Sequence, residues 1–140
     1  MPPNYKKLQE KITFDDLMET LSEEFEQLPD HRRANSSYEL ADVLRSAFAM
    51  FSLKSPSLLA FKELTRQEEK NLKAIYRIQS VPSDTQMRTT LDPFSPAPLR
   101  TLFAKLFHTL SEAGVIKEYE YWKGQPLISI DGVEHFCSTK

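Results

Sequence analysis

The chain has 140 residues, 40% hydrophobic and 27% charged, with a formal net charge of −2. That suits one domain with its own core, no apolar run approaches the roughly 20 residues of a membrane span, and the single cysteine, Cys137, excludes an internal disulfide and fits a reducing cytoplasm. Charge is unevenly spread: residues 1–30 balance to −5, 31–108 to +5 and 109–140 to −2, so the basic middle either faces phosphates or forms solvated helix faces.

The N-terminal MPPNYKKLQEK has no apolar h-region, so no secretory signal is expected. In TFDDLMETLSEEFEQL, residues Phe14, Leu17, Met18, Leu21 and Phe25 recur on one helical face, with Thr13 as cap and Asp15 and Asp16 complementing the helix dipole. Pro29 ends this helix and LPDHRRANS is a polar connector. SSYELADVLRSAFAMFSL follows, with Ser36 and Glu39 at capping-box spacing. Its stripe of Leu40, Val43, Leu44, Ala47, Phe48 and Phe51 is broad enough for a central, buried helix.

Ser55-Pro56 has the form of an N-cap with proline at the first position of a third helix, carrying Leu58, Leu59, Phe61 and Leu64. Thr65 and Glu68 again have capping-box spacing and predict a further helix. Val81-Pro82 breaks the chain, and Ser83 with Gln86 restarts it as a short helix ended by DPFSPAP. PLRTLFAKLFHTLSEAGVI then repeats Leu99, Leu102, Phe103, Leu106, Phe107 and Leu110 at helical spacing, with Gly114 where a C′ glycine belongs. Beyond Gly114, KEYEYW predicts a strand, KGQP a turn, LISI a second strand and GVEHFCS a possible third. The expected fold is mainly α: five or six helices around Leu40, Leu44, Phe48, Phe51, Leu102, Phe103 and Leu106, followed by a short antiparallel β element.

Few side chains are arranged for chemistry. His135-x-Cys137 is half of a metal site, and structural zinc needs four ligands that His31 and His108 do not supply in sequence. There is no nucleophile elbow and, with three glycines, no phosphate-cradling loop. The cluster His31-Arg32-Arg33 either clamps phosphates or pairs with acidic neighbours in a solvated turn. Asp131-Gly132, after LISI, is either a hairpin turn or a carboxylate fixed on a strand for a hard cation such as Mg²⁺. Two-metal phosphoryl transfer needs several converging carboxylates, and one Asp does not hold both ions.

Four stretches together resemble the N-terminal part of a bacterial insertion-sequence transposase of the DDE type. They are LPDHRRANSSYELADVLRSAFAMFSLKSPSLLAF at 28–61, NLKAIYRIQSVPSDTQMRTTLDP at 71–93, PLRTLFAKLF at 98–107 and LISIDGVEHFCSTK at 127–140. The resemblance implies a helical N-terminal transposase domain over residues 1–115. It makes 116–140 the first strands of a truncated RNase H-like catalytic domain, with Asp131 the first acidic residue of the triad. Asp131 would then be catalytic and a ligand for Mg²⁺ or Mn²⁺, with none stably bound by this chain because the second Asp and the Glu would lie beyond residue 140.

The partners so implied are transposon-end DNA and another copy or an intact transposase, with no membrane, in a bacterial cytoplasm and at the nucleoid when on DNA. Arg32, Arg33 and Arg88 are the DNA-contact candidates, on charge and position. The function expected is that of a truncated transposase acting in DNA transposition and inactive alone. The alternatives are a non-catalytic DNA-binding or regulatory module, or a helical protein-interaction module.

Overall fold

The computed structural model describes residues 10–32 and 36–126; Arg33, Asp131, His135, Cys137 and the LISI and GVEHFCS segments lie outside the described residues. Among the described residues five α-helices are followed by one 3₁₀ turn and an antiparallel strand pair, in accord with the mainly α expectation. Helix α1 (Phe14–Gln27) starts where its cap dictates. The Thr13 hydroxyl accepts from the Asp16 amide at 3.2 Å, and the Asp16 carboxylate accepts from the Thr13 amide at 2.8 Å. The Thr13 hydroxyl also donates to the Asp16 carboxylate at 2.7 Å, and this bond, with that from the Thr13 amide, holds the Asp16 carboxyl below the usual aspartate range. Met18, Leu21 and Phe25 are its buried face.

Helix α2 (Leu40–Ser52) is central, packing on α1, on α3 (Leu58–Tyr76) and on α4 (Asp84–Leu91). It starts at Glu39, not at the Ser36 capping box expected from spacing. The reason is local: Arg32 Nη2 donates to the Tyr38 carbonyl at 2.9 Å, so that carbonyl serves the connector, and the first helical bond runs from the Val43 amide to the Glu39 carbonyl.

The start of α3 also departs from expectation. Leu53, Lys54 and Ser55 close α2 in a Schellman motif: the Ser55 amide donates to the Met50 carbonyl and the Lys54 amide to that of Phe51, with Lys54 at φ 53°. Ser55 is thereby spent, and Ser57 caps α3 by accepting from the Ala60 amide at 3.1 Å. The helix expected to begin at Thr65 is the second half of α3. The backbone leaves helical geometry at Glu68 (φ −120°, ψ 25°), but the buried Thr65 hydroxyl donates back to the Lys62 carbonyl and caps nothing.

Helix α4 has the expected Ser83–Gln86 capping box. Helix α5 (Ala97–Glu112) ends in a second Schellman motif, with Val115 bonded to Leu110, Gly114 to Ser111, and Gly114 at φ 70°. Lys11 ties the opposite end of the chain here through the Gly114 carbonyl.

The first strand begins later than the expected KEYEYW. Ile116–Tyr119 is a 3₁₀ turn, and strand β1 (Glu120–Trp122) pairs with β2 (Gln125–Pro126). The turn between them is Lys123-Gly124, both at positive φ, as a two-residue type I′ hairpin requires.

The expected core is correct for Leu40, Leu44 and Leu102, each at most 4% exposed, while Phe48 and Leu106 are half-buried against it. Phe51 at 73% and Phe103 at 47% exposure are corrections. Helices α2 and α5 both pack on α1, and these two rings face the open space between them.

Candidate functional site

The sequence candidate Arg32 lies in a polar pocket of about 250 Å³, between the connector after α1 and helix α4. Its guanidinium is held on one edge by Asp30: Nε donates to Oδ1 at 2.9 Å and Nη2 to Oδ2 at 2.7 Å. Asp30 Oδ1 also accepts from the Arg32 amide, closing an Asx-type turn. The Arg32 guanidinium bonded to Asp30 holds that carboxyl below the usual aspartate range. The turn-pairing role weighed for this arginine is therefore present. Nη1, on the other edge, has no partner among the described residues.

Ser37, Gln86 and Thr90 share the lining, which among the described residues contains no carboxylate. The pocket joins LPDHRRANSS, the polar connector, to PSDTQMRTTLDP, which forms α4. These are two of the four stretches that carry the transposase resemblance.

Arg88, the second described candidate, is not brought to this pocket. It lies two residues from Gln86, roughly 200° round the helix, and is exposed with no acidic partner among the described residues. Lys54, Lys70, Arg100 and Lys117 are likewise exposed and unpaired among the described residues. Lys11, Lys62, Arg66, Lys73, Arg77 and Lys105 each have an acidic neighbour within 4.0 Å.

A buried ionic cluster holds the helices that frame the site, and pattern reading missed it. Asp42 and Arg45 are 2% and 3% exposed in α2. Asp42 accepts from the Gln79 and Ser80 amides at 3.0 and 2.9 Å and from Arg45 Nη1 at 3.4 Å. Arg45 Nε donates to the Ser22 hydroxyl at 3.2 Å, and Nη2 pairs with Glu26. The cluster thus joins α1, α2 and the segment after α3. Its sequence signal was an Asp and an Arg at i, i+3 inside an otherwise apolar helix.

A second concavity is apolar. A groove of about 730 Å³ runs between α2 and α5, walled by Phe25, Phe48, Phe51, Phe94 and Phe103, with Ser52 as its one polar lining residue. His31 stacks its ring beside Phe94 at 5.8 Å.

Among the described residues no three His, Cys, Asp or Glu side chains are grouped as a metal ion requires. A Mg²⁺ or Mn²⁺ ion takes about six oxygen ligands, so Asp131 by itself does not make the site the resemblance calls for. No described helix is long and apolar enough to cross a membrane. Comparison with protein-family models, with curated proteins and with solved structures found no match to this chain.

Proposed function

We propose that this chain is the DNA-contacting N-terminal part of an insertion-sequence DDE transposase and acts in DNA transposition by occupying transposon ends. What supports the reading most is that two stretches of the resemblance, distant in sequence, build one polar pocket around Arg32. The six exposed cations without an acidic partner among the described residues (Lys54, Lys70, Arg88, Arg100, Lys117 and Lys123, the last over the Trp122 ring) would supply a second, sequence-independent attraction for phosphate. Catalysis of strand cleavage would fall to a triad of which this chain carries only Asp131, so no Mg²⁺-dependent nicking is expected of the pure protein.

The test is a gel-shift titration with duplex DNA carrying terminal inverted repeats, beside a nicking assay with Mg²⁺. A shift without nicking supports the proposal. The absence of any shift at low salt counts against DNA binding, and robust nicking that is lost in Asp131→Asn overturns the assignment of an incomplete catalytic site.

The aromatic groove favours a second reading, a helical protein-interaction module. A contiguous apolar surface of this kind is characteristic of protein contacts. Light scattering that shows a stable oligomer, with no DNA affinity, would select it.

A further inference from the structure

We propose that the pocket beneath the connector after α1 is a binding site for one phosphate group, which accepts hydrogen bonds from Arg32 Nη1 and the Thr90 hydroxyl. Thr90 is 5% exposed and lines this pocket. Its hydroxyl has no hydrogen-bond partner among the described residues, and it is not sealed off, because among them only the Ser46 hydroxyl is both inaccessible and unpartnered. The remaining accessible surface of Thr90 therefore opens into the pocket.

Thr20, Thr65, Thr89 and Thr109 donate to a carbonyl of the preceding turn, and the helical Thr85 and Thr101, which make no such bond, are exposed. Thr90 makes no such bond, and its hydroxyl is left for something else. A nearly buried polar group without a partner is destabilising unless a ligand or water completes it.

Arg32 points the same way. Its side chain is 15% exposed. Asp30 and the Tyr38 carbonyl occupy Nε and Nη2, which fixes the plane of the guanidinium and leaves Nη1 unspent. Gln86 presents its side chain to the same space; its Oε1 is already taken by Ser83, so what it has left to offer is its amide N–H groups. Among the described residues the lining thus offers guanidinium, hydroxyl and amide donors and no carboxylate. That set selects an oxyanion and rejects a cation.

Asp30 offsets part of the Arg32 charge, so binding of a free ion is expected to be weak and salt-sensitive. The choice of phosphate over a carboxylate rests on the DNA reading above. The phosphate would come either from a DNA backbone or from solution, with the same contacts.

The experiment is an NMR titration of the ¹⁵N-labelled 140-residue chain with inorganic phosphate, with acetate, and with a duplex carrying terminal repeats. It is repeated for Thr90→Val, which keeps shape and removes the hydroxyl, and for Thr90→Ser, which restores it. Phosphate should shift the amides around Arg32 and Thr90, acetate should do so far less, and Thr90→Val should weaken both phosphate and DNA by about tenfold. Thr90→Ser should recover most of the loss.

If DNA binds and Thr90→Val matches the parent, the phosphate site is overturned while the DNA reading stands. If phosphate binds at this pocket and DNA does not, the site stands as one for free phosphate and the DNA reading falls. Equal shifts with acetate, or no shift with any ligand, overturn the phosphate assignment.

Discussion

At the scale of single residues, Asp42 and Arg45 matter most to the fold. Each is nearly inaccessible, and each bonds the other and one further element, Asp42 the segment after α3 and Arg45 helix α1. Removing one partner leaves the other charged and buried, which costs about 3–5 kcal/mol. Asp42→Ala should therefore lose that much in urea denaturation, whereas a loss under about 1 kcal/mol would mean the cluster is solvated. Ser46 is the converse case: wholly buried, with a hydroxyl that has no partner. Ser46→Ala removes a desolvated group and should raise stability by about 1 kcal/mol; a decrease in the same urea assay would reveal an unseen acceptor or donor.

Asp30 gives a pH prediction of definite sign. Arg32 lowers its pKa in the folded chain, so the clamp is fully formed above the ordinary aspartate range and is lost as pH falls through the lower folded value. A carboxyl titration by NMR should place Asp30 below the usual value of about 3.9. Arg32→Gln should return it upward; an unmoved midpoint would sever the two groups.

Among the elements, α2 and α5 show how apolar periodicity and burial part company. Leu102 is 2% exposed against α1, whereas Phe51 and Phe103 belong to equally regular stripes and stand open on the groove. Leu102→Ala should cost about 2–5 kcal/mol. Phe51→Ser should cost under about 1 kcal/mol, because little of its surface leaves water on folding. Equal losses in parallel thermal melts would mean the groove is filled in solution.

Periodicity reports which face of a helix is apolar, not which neighbour covers it, and so both phenylalanines were expected inside. The caps at Thr13 and Ser83 were legible because a capping box is complete within four residues. Those at Ser36 and Ser55 were not. Each start was displaced by a bond to a residue outside the box: the Arg32 guanidinium on the Tyr38 carbonyl, and the Ser55 amide on Met50. In α3 the break near Thr65 was visible in sequence, yet the chain stays helical through it with Thr65 bonded backward. The arginine in the site was visible as a charge in a connector. Its pocket was not, since Thr90 and Gln86 reach it only through the packing of α4 beneath that connector.

In the molecule as a whole, a helical domain with an ionic interior carries exposed cations that the proposed contact with DNA would use. The acidic α1 and the basic middle nearly cancel in net charge, so under the proposed reading long-range attraction to DNA would be modest and local cations would decide the affinity. Arg88, Lys54, Lys70, Arg100 and Lys117 are unspent among the described residues, while most other described cations are already paired. Binding dominated by phosphate contacts releases counterions, and log affinity then falls linearly with log salt, by about 0.9 per phosphate neutralised. The most direct measurement is fluorescence anisotropy of labelled duplex DNA with terminal repeats, titrated with the 140-residue chain over a range of salt. The account predicts saturable binding with a clearly negative salt slope, reduced by about one contact in Arg88→Gln. No binding at low salt, or an affinity indifferent to salt, would contradict it.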